Sequence, residues 1–234
     1  MGDQRSNDGA TPRWRPGHEP ARDTSRIEAF SDAVIAIMLT LLAIEMLQFD
    51  PVLARRVGLI NALTQKWPSY FAFLLTFLVI GQIWITHHNL WRYVERVDQG
   101  ISIINLLLLA FVALTPFGAQ LLAESLVDLP RDQACIAAAL YSSIMLGQAV
   151  AFNLLLWWAH RQCLLHDDVD DDLYRAIARR YLFGPALYAA ALLLSFFSPQ
   201  VGLACYLGVI LLYLFPGAGD LPSGRVSAGL VQSG

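Results

Sequence analysis

The chain has 234 residues, of which 56% are hydrophobic and only 15% are charged, and its formal net charge is −3. Soluble domains carry about 25% charged residues, so this composition excludes a soluble globular domain and indicates an integral membrane protein. The three cysteines, Cys135, Cys163 and Cys205, are far apart and form no CxxC or Cys/His cluster, which argues against a disulfide framework and a structural zinc site.

Both ends of the chain have compositions typical of disorder. Residues 1–24 combine three prolines and scattered charges with few apolar side chains, and they lack the apolar core of a signal peptide. Residues 217–234 are rich in glycine and serine. We therefore predict a disordered cytoplasmic tail over 1–24, a transmembrane domain over 25–216 and a disordered C-terminal tail over 217–234.

Six apolar segments lie between the two tails, and a membrane-spanning helix needs about 20 residues. Their approximate ranges are 27–48, 68–90, 101–123, 133–158, 174–197 and 200–216. The fourth segment ends at Trp157 and Trp158, which is typical of an interfacial aromatic belt. The sequence therefore predicts an all-α membrane protein with six transmembrane helices, of which the last two form a tight hairpin.

The basic residues predict the orientation of these helices. With the N-terminus in the cytoplasm, twelve of the 16 Lys and Arg residues fall on the cytoplasmic side and four on the other. Because cytoplasmic loops of membrane proteins are enriched in Lys and Arg, we predict a multi-pass protein of the cell membrane with both termini cytoplasmic.

One predicted cytoplasmic loop, over 159–173, carries five aspartates between 167 and 172. It lacks the glycine and the glutamate that an EF-hand needs at its sixth and twelfth positions. We interpret it as a solvated acidic loop that also supplies N-terminal charge to the next helix. Weak binding of divalent cations, or enrichment of cations near a pore mouth, is the alternative.

The first apolar segment contains polar residues where a membrane helix is normally apolar. Ser31 and Asp32 lie near its start, and an acid in that place is costly unless it has a partner. The predicted topology brings the start of the first helix, the end of the second and the start of the third to one depth. The polar residues expected there are Arg26, Ser31, Asp32, Trp84, His87, His88 and Asn105.

Three interpretations of this polar cluster remain open from the residues alone. It can be a hydrogen-bonded cluster that ties the first three helices together, as polar residues in membrane bundles often do. It can be a pH-sensitive or proton-relay site, or a metal site. Adjacent histidines point about 100° apart on a helix, which argues against one ion bound by both His87 and His88, so we expect no metal. No nucleophile–base pair or phosphate-binding loop is found in the sequence, so we expect neither an enzyme nor a cofactor.

The first apolar segment has a second face, which is mainly apolar and points away from Asp32. At about 100° per residue, Leu41 and Ile44 lie within about 40° of Ile37, and Thr40 lies about 60° away. Asp32 lies about 140° from the same direction. The four residues therefore form a stripe separate from the polar cluster, and the pattern leaves open whether this stripe faces lipid, the protein core or a pore.

The segment RIEAFSDAVIAIMLTLL resembles the first-helix signature of the transmembrane protein 175 family, the endosomal and lysosomal potassium channels and their prokaryotic relatives. The family pattern, RxxxFSD followed by an apolar helix with a threonine, corresponds to Arg26, Phe30, Ser31, Asp32 and Thr40. Further matches follow in the family's order as far as residue 118. They are Trp67–Pro68, Phe77, Trp84, His87–His88, Asn105 and Pro116–Phe117.

This resemblance implies a passive, potassium-selective cation channel built from single six-helix repeats as a homotetramer, with the first helices lining the pore. Carried over from the family, the constriction rings and the hydrophobic gate are Ile37, Leu41 and Ile44, with Thr40 between them. The partners implied are permeant K⁺, membrane lipids and further copies of the chain, without nucleic acid.

The resemblance also implies that the FSD residues, including Phe30, belong to a cluster bonded to helices two and three. The alternative function is a proton-coupled cation transporter that uses Asp32, His87 and His88.

Overall fold

A computed structural model describes residues 24–198 together with residues 204 and 208. The described residues between 24 and 198 form seven α-helices joined by short loops. The helices are α1 (Thr24–Met46), α2 (Pro51–Val57), α3 (Leu59–Gln65), α4 (Trp67–Trp91), α5 (Gln99–Asp128), α6 (Arg131–Arg161) and α7 (Asp171–Ser195).

Five of the helices, α1, α4, α5, α6 and α7, are long and apolar enough to cross a membrane. They coincide with the first five apolar segments of the sequence, so the prediction of an all-helical membrane protein is confirmed for this part of the chain. The predicted sixth segment, 200–216, and the two predicted tails, 1–24 and 217–234, lie almost wholly outside the described residues.

Two short helices, α2 and α3, connect α1 to α4, and the apolar pattern did not predict them. Asp50 caps α2, because its side chain accepts hydrogen bonds from the backbone N–H groups of Val52 and Leu53 at 2.9 and 3.0 Å. The hydrogen bond from Leu53, with that from Val52, holds the pKa of the Asp50 carboxyl below its ordinary value. Gly58, with φ of 85°, separates α2 from α3 in a conformation that favours glycine.

Aspartates also start two of the long helices. Asp98 caps α5 through the N–H of Ile101 at 2.7 Å, and Asp170 caps α7 through the N–H of Leu173 at 2.7 Å. Asp171 and Asp172 follow in the first turn of α7, where the helix dipole favours negative charge. These contacts agree with the interpretation of the acidic loop as N-terminal charge for the next helix.

The apolar core lies mainly between α5, α6 and α7, and α1 packs on one side of this bundle against α4 and α5. Ile35 and Leu42 of α1 are buried in a cluster with Ile80 of α4 and Val112 of α5. The loops after α4 and α6 pair with each other, since Glu95 N–H donates to the carbonyl of Leu164 at 2.9 Å. The start of α1 packs at the same end of the bundle through Ile27. This common end carries the candidate site.

Candidate functional site

A buried chain of hydrogen bonds joins α1, α5 and α4 at this end of the bundle. Ser31 Oγ donates to the carbonyl of Ile27 at 2.8 Å, and Asn105 Nδ2 donates to Ser31 Oγ at 2.9 Å. His87 Nε2 lies 2.9 Å from Asn105 Oδ1. Ser31, His87 and Asn105 are all buried, so each of these polar groups depends on its neighbour rather than on water.

The Asn105 amide gives these hydrogen bonds a direction. The amide N–H of Asn105 donates to Ser31, so the amide oxygen of Asn105 faces His87 and accepts a hydrogen bond from His87 Nε2–H. The indole N–H of Trp91, one turn further along α4, points at the His87 ring, with the ring centroids 5.6 Å apart and the planes at 75°. Trp91 Nε1 lies 3.1 Å from His87 Nε2 and 3.3 Å from His87 Nδ1. The indole N–H of Trp91 therefore faces both ring nitrogens and adds a buried polar contact within α4.

A second polar group lies beside the buried chain but is open to the surroundings. Trp84 Nε1 donates to Asp32 Oδ1 at 2.8 Å, and His88 Nδ1 lies 2.8 Å from Glu28 Oε1. The Trp84 and His88 rings stack at 5.9 Å. We call Glu28, Asp32, Trp84 and His88 the carboxylate cluster.

The structure therefore separates the two adjacent histidines that the sequence placed in one cluster. His87 joins Ser31 and Asn105, whereas His88 joins Glu28. Glu28 and Trp91 were missed by the sequence analysis. A helical spacing of four residues could have found both, since Glu28 precedes Asp32 by one turn and Trp91 follows His87 by one turn.

Two residues of the predicted cluster lie apart from these contacts. Arg26 is exposed at the start of α1, and within residues 24–198 no hydrogen bond or ion pair connects it to the cluster. Phe30 is 51% exposed and lies in helical phase with Ile37. The side chain of Phe30 is therefore turned away from the buried chain.

The opposite face of α1 carries the predicted apolar stripe, Ile37, Thr40, Leu41 and Ile44, and it is exposed along its length. Ile37, Leu41 and Ile44 are 52%, 39% and 64% exposed. Thr40 Oγ1 donates to the carbonyl of Ile37 at 2.7 Å. Because its proton is used within the helix, the hydroxyl oxygen presents its lone pairs outward.

Comparison with known proteins connects both faces of α1 to one family. The family model described as "Endosomal/lysosomal potassium channel TMEM175" matches residues 26–116. A potassium channel of Chamaesiphon minutus is 42% identical over 179 residues, which cover 75% of this chain and 86% of that protein. The chain belongs to the TMEM175 family. A potassium channel of Streptomyces collinus is 40% identical over 193 residues, which cover 82% of this chain and 91% of that protein.

The fold is that of TMEM175 proteins as well. The crystal structure of a lysosomal potassium-selective channel TMEM175 homolog from Chamaesiphon minutus superposes with a TM-score of 0.72 at 38% identity. The superposition covers 82% of this chain and 96% of the Chamaesiphon minutus chain. TMEM175 proteins are ion channels, so the expectation that this chain is not an enzyme is confirmed by its family. The matched range, 26–116, contains the buried hydrogen-bond chain, the carboxylate cluster and the exposed stripe.

Proposed function

We propose that this protein is the subunit of a potassium-selective channel that conducts passively through a homotetrameric pore lined by α1. The observation that carries this proposal is the exposed stripe. Ile37, Leu41 and Ile44 are exposed on a helix whose opposite face is bonded to and packed against the rest of the subunit. Membership of a channel family and relatives named as potassium channels support the function itself.

The stripe can discriminate between cations by the cost of removing their water. The sequence contains no TVGYG-like segment whose carbonyls would replace the hydration shell of the ion. Narrow apolar rings favour the cation that loses water more easily, and K⁺ loses water more easily than Na⁺. Thr40 adds a ring of hydroxyl oxygens at the level where a partly dehydrated ion needs ligands. The same apolar rings would close the pore by excluding water.

The buried hydrogen-bond chain has a supporting role in this proposal. It joins α1 to α4 and α5 through Ser31, His87 and Asn105 and so holds the helix that carries the stripe. Both termini in the cytoplasm, a sixth transmembrane helix over 200–216 and residence in the cell membrane complete the proposed architecture. The common position of the start of α1 and of the loops after α4 and α6 supports this topology.

The test is a current recording from purified protein reconstituted in a lipid bilayer. With KCl and NaCl gradients of opposite direction, the reversal potential should lie closer to the potassium than to the sodium equilibrium potential. Ile37→Asn should raise the leak or weaken the selectivity, because a polar amide removes the dehydration barrier at that ring. Ile136→Asn is the matched control, since Ile136 is also exposed, at 67%, but lies on α6.

The outcomes separate the possible roles of the stripe. If Ile37→Asn and Ile136→Asn give the same currents as the unmodified protein, the stripe faces lipid and the pore proposal is wrong. The alternative, a proton-coupled transporter that uses Asp32, His87 and His88, requires small saturable currents that depend on a pH gradient. A large single-channel conductance without a pH gradient excludes that alternative.

A further inference from the structure

The carboxylate cluster contains three side chains that are able to bind a metal ion, and these side chains come from two helices. Glu28 and Asp32 are one turn apart on α1, and His88 projects from α4. One ligand atom from each of the three, two carboxylate oxygens and one imidazole nitrogen, lies within 4.8 Å of the other two. The sequence analysis considered His87 with His88 and missed Glu28, so it did not identify this set.

The charges of the group are unbalanced. Glu28 and Asp32 are separated by four residues on one helix face, where like charges repel each other. Among residues 24–198, no Lys or Arg forms an ion pair with either carboxylate, and the only ionic contact of the set is the one between His88 and Glu28. Two carboxylates facing one imidazole leave an excess of negative charge, which a divalent cation would neutralise.

The neighbouring contacts orient the ligands. Trp84 donates to one oxygen of Asp32 and stacks on the ring of His88, so a single indole holds two of the three side chains. Residues that orient metal ligands in this way are a general feature of metal sites. The second oxygen of Asp32 remains available to an ion.

One ion requires the closest pair of ligand atoms to move apart and any pair near the 4.8 Å limit to move together. Zinc binds His nitrogen and carboxylate oxygen at about 2.0–2.2 Å in tetrahedral sites, so two ligands of one ion lie about 3.4 Å apart. His88 Nδ1 and Glu28 Oε1 are now 2.8 Å apart, at hydrogen-bond distance. The ion would replace the proton between them, and water would supply the fourth ligand. The side chains of His88 and Glu28 are 48% and 27% exposed, so an ion can reach them.

We propose that Glu28, Asp32 and His88 form a binding site for one divalent transition-metal ion of the Zn²⁺ type, which links α1 to α4. This proposal does not depend on potassium conduction, since the predicted result is binding by the purified protein.

The experiment is calorimetric titration of the purified, chelator-treated full-length chain with Zn²⁺, supported by the visible absorption of Co²⁺ in place of Zn²⁺. We expect one ion per chain. Loss of an orienting partner alone lowers metal affinity by about 10- to 100-fold, so loss of a ligand in Glu28→Gln or His88→Gln should lower it at least as much. Both glutamine variants keep the approximate size and a polar group at a partly exposed position, and size-exclusion chromatography checks that each folds.

His160→Gln is the matched control. His160 also lies near a carboxylate, 3.8 Å from Asp171, but at a different place on the surface. The proposal predicts unchanged Zn²⁺ affinity and Co²⁺ spectrum for His160→Gln. Absence of binding by the unmodified protein, undiminished binding by folded Glu28→Gln or His88→Gln, or an equal loss in His160→Gln would each overturn it.

Discussion

Asn105 is the central residue of the buried hydrogen-bond chain, and its replacement tests how strongly this chain ties α1 to the bundle. Asn105→Ala removes the bond to Ser31 and the bond from His87, and it leaves the His87 Nε2–H without an acceptor in a buried position. Ser31 keeps its own acceptor, the carbonyl of Ile27. The substitution therefore removes mainly the hydrogen bonds that connect α5 to α4 and to α1.

The expected magnitude follows from the bonds lost. Interhelical hydrogen bonds in membrane proteins contribute about 0.6 kcal/mol on average and about 1.7 kcal/mol at most. An unsatisfied buried donor and the small void left by the amide add to this cost. We expect Asn105→Ala to lower the free energy of unfolding by about 2–4 kcal/mol.

The measurement is SDS titration of the folded protein in detergent micelles, followed by far-UV circular dichroism or tryptophan fluorescence. Gln120→Ala is the control, because Gln120 is also a carboxamide on α5 but, within residues 24–198, its side chain bonds to Glu124 of the same helix and not to another helix. Pairs of this kind contribute about 0.2–0.5 kcal/mol. Equal unfolding curves for the two variants would refute the view that the buried chain fastens α1.

Three further predictions concern other parts of the molecule. Gly147→Ala should destabilise the protein by about 1–3 kcal/mol in the same titration, because a Cβ there overlaps the Phe111 ring; Gly81→Ala, with open space around it, should not. The pKa of Asp50 is lowered in the folded state, so acidification through that pKa should remove its stabilisation of α2, and the protection factors of α2 amides in hydrogen exchange should fall in the unmodified protein but not in Asp50→Asn. Thr40→Val keeps the shape of the side chain and removes its hydroxyl. If that hydroxyl contributes about 1 kcal/mol to K⁺ binding, the K⁺/Na⁺ permeability ratio should fall about fivefold, and an unchanged ratio would exclude Thr40 from selectivity.

The long helices were predictable because their apolar runs exceed what any loop can contain. The runs that begin near residues 27, 68 and 101 became α1, α4 and α5 with boundaries shifted by only a few residues. The connection between α1 and α4 was not predictable in the same way. Its two helices have seven residues each, too short for a periodic pattern. Their signals were local instead, the Asp50–Pro51 start and the glycine at 58.

The sequence predicted which polar residues of the candidate site lie at the same depth, but it did not predict which of them bond to each other. Topology brought Ser31, His87 and Asn105 to one level, and the structure joins them. The sequence could not decide between His87 and His88, because that depends on the rotation of α4 about its axis. In the structure, α4 is rotated so that His87 is buried on the same side as Ile80 and Leu90, whereas His88 is exposed.

The same reasoning connects the buried chain to the exposed stripe. In a bilayer, apolar side chains are as stable against lipid as against other helices, so burial of Ile35 and Leu42 does not by itself fix how α1 is rotated. A rotation by one residue turns α1 by about 100°. It would separate Ser31 from Asn105 and turn Ile37 out of its present direction. We therefore expect the polar bonds at the start of α1 to set which residues the rest of the helix exposes, so a variant that breaks them should change the exposure of the stripe as well as the stability.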